Sequence, residues 1–202
     1  MKIIEKTYKF NSALHKRTAT KYIIIHHSAG TGSADAVHRV CISKGSAGIG
    51  YHFYVRKSGE VYRGRPEKTI GAHCIGYNDR SIGVCFEGNY EADKKMPTAQ
   101  LNAGRELISY LRGAYPSADV KMHKSFVSTA CPGKYFPFEE IKRGAKNVKK
   151  ELTTANDITW ELSQMIRIDD IDGFRAALER AQKENSPLYW GLRKIVNGRD
   201  EK

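Results

Sequence analysis

Three residues of types that bind transition metals stand where the chain is expected to leave a strand or enter a loop: His26, His123 and Cys131. Catalytic zinc sites use three protein ligands and leave a fourth position for water. Imidazole and thiolate also favour zinc over calcium or magnesium, which prefer oxygen ligands. The three residues are therefore candidate ligands of a catalytic site that holds one Zn2+ per chain.

Residue type and spacing do not by themselves select this set. The chain has seven histidines and four cysteines, so many sets of three can be drawn, and a single histidine is more often structural than a ligand. The long separation of His26 from the other two does differ from the short paired clusters of a zinc finger. The remaining cysteines are expected to be reduced and buried, because a chain of this length with an ordinary core does not need disulfides. They are Cys41, Cys74 and Cys85.

Hydrophobic patterning predicts the strands that would position the candidate ligands. The β-branched run at 22–25 indicates a buried central strand that ends at His26. A short strand-like segment likewise leads directly to His123. Tyr8 and Phe10 alternate with charged residues, which is typical of an edge strand. Further strands are predicted at 51–55, 61–63, 81–86 and 120–122.

Helices are predicted between these strands and after them. One covers 33–44, with Ser33 or Asp35 as its N-cap, and a second begins at Thr98, which can cap it, and ends before Pro116. Helices of the C-terminal part are predicted at 138–152, 154–166, 170–184 and 187–197.

The alternation of strands and helices predicts an α/β fold: a central mixed β-sheet flanked by helices, with a small C-terminal helical subdomain. Three segments follow from this pattern. Residues 1–20 form a basic N-terminal arm that packs on or precedes the catalytic domain, residues 21–152 form the domain with the candidate zinc ligands, and residues 153–202 form the helical subdomain.

The chain is basic, with a formal net charge of +12 that is concentrated in residues 1–150. A basic body predicts an acidic partner, which can be nucleic acid, an anionic membrane surface or an anionic wall polymer, or else a lysine-rich solvated surface without a partner. No nucleic acid is expected, because zinc-finger spacing, an RNP-type aromatic signature and a heptad-backed basic helix are all missing from the sequence.

No segment reaches the roughly 18 to 20 apolar residues that span a bilayer. The first ten residues, MKIIEKTYKF, carry charges where a signal peptide has a continuous apolar segment. We therefore expect synthesis in the cytoplasm without a signal peptide.

The order of sequence blocks between about Lys21 and Phe138 resembles the type 2 N-acetylmuramoyl-L-alanine amidases. This family includes bacteriophage lysozyme-amidases and peptidoglycan recognition proteins. A single block is weak evidence, whereas six blocks in the family's order are specific. The blocks are YIIIHHSA at 22–29, GYHFYV at 50–55, GEVYRGR at 59–65, GAHCIGYN at 71–78, SIGVCFEGN at 81–89 and HKSFVSTACPG at 123–133.

The resemblance implies zinc-dependent hydrolysis of the amide between N-acetylmuramic acid and L-alanine in peptidoglycan, as in a phage or prophage endolysin. Its metal ligands fall on His26, His123 and Cys131. Its active-site tyrosine falls on Tyr51, and Thr129 stands where the phage enzymes have a lysine and many recognition proteins have a threonine. Positions that line the family's substrate groove fall on His73 and Asn78, and positions near that groove fall on Arg63 and Arg65.

The chemistry of these residues limits their roles. Neither Tyr51 nor Thr129 is a strong base at neutral pH, so we assign both to oxyanion stabilisation or water positioning. Glu87 is a candidate general base by residue type, and a strand-end carboxylate with a structural role is an equal alternative. If a regular strand covers 51–55, alternation puts Tyr51 and Phe53 on one face and the residues between and after them on the other.

The alternative to an enzyme is a non-catalytic recognition module that binds peptidoglycan. Non-catalytic members of the family lack the cysteine ligand, so Cys131 favours an enzyme. The chain is expected to act on the cell wall after release, although an intracellular recycling amidase also fits. The basic arm at 1–20 is expected to add affinity for anionic wall polymers or a phospholipid surface.

Overall fold

The computed structural model describes residues 2–144, which belong to one compact unit. Its centre is a six-stranded sheet with the spatial order β1-β4-β3-β5-β2-β6. The β3–β4 pair is antiparallel and the other pairs are parallel, so the predicted mixed sheet is confirmed. The strands are β1 Ile3–Ile4, β2 Tyr22–His27, β3 Phe53–Val55, β4 Val61–Arg63, β5 Ser81–Phe86 and β6 Asp119–Met122.

Helices flank the sheet as expected: α1 covers Ala34–Ser43, α2 covers Thr98–Ala114 and α3 covers Phe138–Arg143. Ser33 caps α1, because its side chain accepts a hydrogen bond from the backbone of Ala36. For α2 the predicted cap is wrong by one residue: Pro97 occupies the N-cap position, and Thr98 is the first helical residue.

Different clusters of side chains pack on the two faces of the sheet. On one face, Ile23 and Ile25 of β2 pack with Phe53, Val84 and the apolar side of α2 in the main core. The opposite face carries a smaller cluster, in which Ala34 of α1 packs with Tyr54 and Cys85. Side chains alternate along a strand, so the residue after Ile25, His26, points to this second face.

The N-terminal arm packs on the sheet. Its edge strand is Ile3–Ile4, paired with β4, and not the predicted segment around Tyr8 and Phe10. Tyr8 instead stacks on His38 of α1, with ring centroids 4.6 Å apart. Arg17 is buried, so the arm is part of the folded unit.

All four cysteines are free: Cys74 and Cys85 are buried, and Cys41 is half-buried rather than buried. The predicted helix at 138–152 is described as far as Arg143, and Gly144 follows it with a φ of 75°. The helices predicted at 154–166, 170–184 and 187–197 lie outside the described residues. Among the described residues, no helix is both long and apolar enough to span a membrane.

Candidate metal centre and active site

The three candidate ligands converge where the parallel strands β2 and β6 end. β2 and β6 are parallel neighbours, so His26, the second-last residue of β2, lies beside the end of β6, which His123 follows directly. The loop after β6 returns to these strand ends, where Cys131 Sγ lies 3.8 Å from His26 Nδ1. The ring centroids of the two histidines are 4.3 Å apart. One potential ligand atom from each of the three residues lies within 4.8 Å of the others.

This arrangement fits zinc. Tetrahedral bonds of about 2.0 Å to nitrogen and about 2.3 Å to sulfur separate the two ligand atoms by about 3.5 Å, close to the 3.8 Å between His26 Nδ1 and Cys131 Sγ. His26 is buried, whereas His123 and Cys131 are half-buried. One side of the group is therefore open to solvent, as a fourth position for water and substrate requires.

Burial affects the two histidines and the cysteine of the candidate site in opposite senses. It lowers the pKa of His26 well below the usual 6.5, with further lowering by His123 and His27, and it also lowers the pKa of His123. Both rings are therefore neutral at physiological pH, as ligands must be. Burial raises the pKa of the Cys131 thiol to about 11, although the backbone N–H of His27, 3.4 Å from Sγ, opposes the shift. Metal binding must displace the thiol proton.

Tyr51 contacts the ligand group, with its ring centroid 5.1 Å from that of His26. The strand β3 begins only at Phe53, and Tyr51 packs with Tyr54 and Cys85 on the face of the candidate ligands. The expectation that Tyr51 and Phe53 share a face is therefore wrong, because regular alternation starts after Tyr51. The neighbouring Cys85 and burial raise the pKa of Tyr51 well above 10, so the phenol keeps its proton.

Thr129 lies in the loop that carries Cys131, the candidate cysteine ligand. Its Oγ accepts a hydrogen bond from the backbone N–H of Cys131 at 3.3 Å, and the residue is exposed. Since the oxygen accepts this bond, the hydroxyl proton remains available for donation to a group beside the cysteine.

His73 is buried beside His26, and the half-buried Asn78 holds the backbone at His73. His73 is only 8% exposed, and its Nδ1 lies 3.1 Å from Nε2 of His26. Asn78 Oδ1 accepts hydrogen bonds from the backbone N–H groups of His73 and Cys74, both at 2.8 Å. These contacts occupy both ring nitrogens of His73 and the amide oxygen of Asn78, and the contact of the two side chains with substrate stays a prediction.

Arg63 is on the other face of the sheet, which corrects its predicted place near the groove. It is paired in register with Phe53, whose ring packs in the main core, and the guanidinium lies 4.9 Å from that ring centroid. Glu5 and Glu67 form ion pairs with Arg63. Arg65 is buried and donates to the backbone carbonyls of Ile49 and Ile70.

Glu87 has a structural role. Its side chain is 6% exposed and is paired with Arg56, and its carboxylate also accepts hydrogen bonds from the backbone of Gly32 and Lys57. The hypothesis that Glu87 is a general base is therefore corrected in favour of the alternative, a strand-end carboxylate that fixes nearby loops.

Two features of the site were not predicted from the sequence. Cys85 is the register partner of His26 on β5 and contacts Tyr51, so it forms part of the wall behind the ligands. The backbone N–H of His27 donates to Cys131 Sγ. Strand register determines the place of Cys85 beside His26, and the path of the loop after β6 brings Cys131 to His27; the pattern of a single strand reveals neither.

Comparisons with known proteins agree with this geometry. The family model for N-acetylmuramoyl-L-alanine amidase matches residues 16–134. The endolysin of Enterobacteria phage K11 is 34% identical over 126 residues, which cover 58% of this chain and 83% of the endolysin.

Solved structures are similar as well. N-acetylmuramoyl-L-alanine amidase LysC from Clostridium intestinale URNW is 38% identical, with a TM-score of 0.68 over 70% of this chain and 95% of that chain. Peptidoglycan recognition protein-LE in complex with tracheal cytotoxin is 28% identical, with a TM-score of 0.62 over 69% of this chain and 91% of that chain. The family match covers more than half of the chain and includes the entire ligand group, so the chain belongs to the N-acetylmuramoyl-L-alanine amidase family.

Proposed function

We propose that the protein is a zinc-dependent enzyme that hydrolyses the amide between N-acetylmuramic acid and L-alanine in peptidoglycan and thereby lyses the cell wall. The observation that carries the proposal is the convergence of His26, His123 and Cys131 in a half-open site where β2 and β6 end. Membership of the amidase family and the similarity to phage endolysins support the reaction class.

The chain's own residues would divide the work as follows. His26, His123 and Cys131 would hold the ion, which supplies an activated water and polarises the scissile carbonyl when it is bound. Tyr51 keeps its phenolic proton and can donate a hydrogen bond to the oxygen on which negative charge develops. Thr129 offers a second hydroxyl at the exposed side of the cysteine ligand, where it can position water or the substrate.

A second candidate function is peptidoglycan binding without cleavage, because a peptidoglycan recognition protein is among the similar structures. The complete ligand set favours the enzyme. Mass spectrometry of cell walls digested with the purified protein separates these functions. New free L-alanine amino termini are expected, whereas new reducing sugars or an uncut wall would contradict the amidase.

Ligand variants connect this activity to zinc. Cys131→Ala and His26→Ala are expected to abolish both zinc binding and wall hydrolysis, and Cys41→Ala is the matched control, because this free, half-buried cysteine is outside the ligand group. Full lytic activity of a zinc-free Cys131→Ala protein would contradict the proposed mechanism.

We also propose that the protein acts on the wall after release from the cytoplasm, as expected of an endolysin. Peptidoglycan is its principal partner, and the basic N-terminal arm would add contact with anionic wall polymers or a phospholipid surface. Exposed lysines in the arm, Lys2, Lys9 and Lys16, support this secondary contact.

A further inference from the structure

A buried chain of hydrogen bonds runs from a backbone carbonyl to the first candidate ligand. It begins at Ser81, whose side chain is fully buried and whose hydroxyl donates to the carbonyl of Tyr77 at 2.7 Å. A serine hydroxyl has a single proton. The same oxygen lies 3.4 Å from His73 Nε2, so it can only accept there, and His73 must carry its proton on Nε2.

This protonation determines what His73 does on its other side. A neutral imidazole has one N–H, so Nδ1 of His73 is an acceptor. It lies 3.1 Å from His26 Nε2, which must therefore be the protonated nitrogen of His26. The remaining nitrogen, His26 Nδ1, is left without a proton, and it is the atom 3.8 Å from Cys131 Sγ.

We propose that His73 is a positioning residue that fixes His26 in the tautomer whose Nδ1 is free to bind zinc. The inference rests on the proposed zinc site and deepens it. Ligating histidines commonly donate their second N–H to a protein acceptor, which sets both ring orientation and tautomer. Here another histidine supplies the acceptor, and Ser81 and the Tyr77 carbonyl determine that histidine's own proton position.

Packing around the ring gives independent support. A Cβ atom added at Gly83 would lie 2.5 Å from Cγ and Cδ2 of His73, and one added at Gly71 would lie 2.5 Å from Cδ2. Neither glycine has a positive φ, so space rather than backbone conformation requires glycine at both positions. Together with Asn78, which holds the backbone N–H of His73, the two glycines form a slot that keeps the ring pointed at His26.

Zinc affinity of the full-length protein tests this role. His73→Phe keeps a ring in the slot but leaves Nε2–H of His26 buried without an acceptor. It is expected to weaken zinc binding by about 10- to 100-fold, measured by competition with a chromophoric chelator at neutral pH. His73→Asn is expected to restore most of the affinity, because its Oδ1 can replace the acceptor Nδ1. His38→Phe is the matched control, since His38 is also 8% exposed but is outside the ligand group, and its affinity should not change.

The outcomes distinguish the two proposals. A folded His73→Phe protein that binds zinc as tightly as the wild type would overturn the role of His73 while leaving the zinc site intact. A wild-type protein that binds no zinc would contradict the proposed function itself, and with it any role of His73 in metal binding.

A spectroscopic measurement does not depend on the variants folding. Two-bond 1H–15N correlation spectra of the metal-free wild-type protein identify which imidazole nitrogen carries the proton. His26 and His73 are both expected to be protonated on Nε2. Protonation of His26 on Nδ1 would overturn the proposal.

Discussion

The phenol of Tyr51 and the hydroxyl of Thr129 flank the candidate ligands in different surroundings. Tyr51 is held in a cluster of apolar side chains with a raised pKa, whereas Thr129 is exposed. A preorganised donor in a dry site contributes more to catalysis than one that water can replace. Among the two hydroxyls, Tyr51 should therefore contribute more to turnover.

Tyr51→Phe is expected to lower kcat on cell-wall substrate by about 100-fold or more, because a preorganised donor to the developing oxyanion is lost. Zinc affinity should be unchanged, which chelator competition checks. Tyr54→Phe is the matched control: its hydroxyl donates to the Gly32 carbonyl at 2.9 Å, so this change should reduce stability and leave kcat nearly intact. Wild-type turnover of Tyr51→Phe would exclude a catalytic role for the phenol.

Thr129→Val removes the hydroxyl and the acceptor for the Cys131 backbone N–H. We expect a reduction in kcat that is smaller than for Tyr51→Phe, because water can replace an exposed donor. Thr129→Ser keeps the hydroxyl and should retain wild-type turnover. Wild-type turnover of Thr129→Val together with a loss in Thr129→Ser, measured as rates of wall solubilisation, would show that the shape of the side chain rather than its hydroxyl matters.

At the scale of elements, α2 shows how packing overrides helix propensity. Gly104 lies where a Cβ would come within 2.5 Å of Phe86 on β5 and 2.8 Å of Ile141 on α3. At Gly113, on the same helix, a Cβ would meet nothing within 4 Å. The two glycines thus separate the intrinsic cost of glycine in a helix from its packing benefit.

Gly113→Ala is expected to raise the free energy of unfolding by about 0.5–1 kcal/mol, the usual gain from alanine in a helix. Gly104→Ala is expected to lower it by about 1–3 kcal/mol, because overpacking at the contact of α2 with β5 and α3 exceeds that gain. Urea unfolding of both variants checks the opposite signs. Stabilisation by both substitutions would mean that α2 does not pack this closely.

A buried histidine between β3 and β5, His52, makes the stability of the fold depend on pH. His52 is fully buried, accepts a hydrogen bond from the Gly83 backbone on Nδ1 at 3.0 Å and lies 2.9 Å from the Thr69 carbonyl through Nε2. Burial lowers the pKa of His52 to about 3, against a partial opposing effect of that carbonyl. The folded pKa is below the unfolded value, so the stabilisation is present above about pH 6.5 and is lost as the pH falls toward 3.

His52→Gln should therefore flatten the pH dependence of the free energy of unfolding between pH 6.5 and 3. The lost contribution in the wild type is on the order of 4–5 kcal/mol across this range. Urea unfolding at a series of pH values measures the slope for both proteins. The buried His26 and His73 remain in both, so the difference between the slopes isolates His52. Identical slopes would contradict the neutral buried state.

At the scale of the whole molecule, sequence patterns predicted most of the sheet, and they singled out the three residues that converge as candidate metal ligands. The apolar run that ends at His26 and the one that leads to His123 could be identified, because buried strands are rich in apolar and β-branched residues. The family blocks then added Cys131, which no periodicity places. Strand register could not be read from one chain, and the resemblance placed Arg63 near the groove, whereas its register partner Phe53 puts it on the opposite face from His26. The role of His73 depends on space left by two glycines, which only packing reveals.

Some of the basic side chains in the arm make structural contacts, and others are exposed. Lys6 is paired with Asp35, and Arg17 is buried among backbone carbonyls, whereas Lys2, Lys9 and Lys16 are exposed. Deletion of residues 1–20 would therefore remove the edge strand and a buried side chain, and would test folding rather than affinity. Substitution of the exposed lysines tests the surface alone.

Replacing Lys2, Lys9 and Lys16 by glutamine lowers the formal net charge from +12 to +9. If the arm contacts anionic polymers or headgroups, binding to walls that contain teichoic acid, or to anionic vesicles, should weaken at low salt. The difference from the wild type should disappear at high salt, because screening removes attraction between exposed charges. Sedimentation assays over a salt series measure both effects.

A matched variant separates the arm from net charge. Glutamine at Lys44, Lys94 and Lys95, which are exposed outside the arm, produces the same net charge of +9 from +12. Local contact by the arm predicts a larger loss for the arm variant, whereas a general field of the basic body predicts equal losses. Equal losses would show that the whole charge distribution attracts the wall. The arm would then have only a structural role in the sheet.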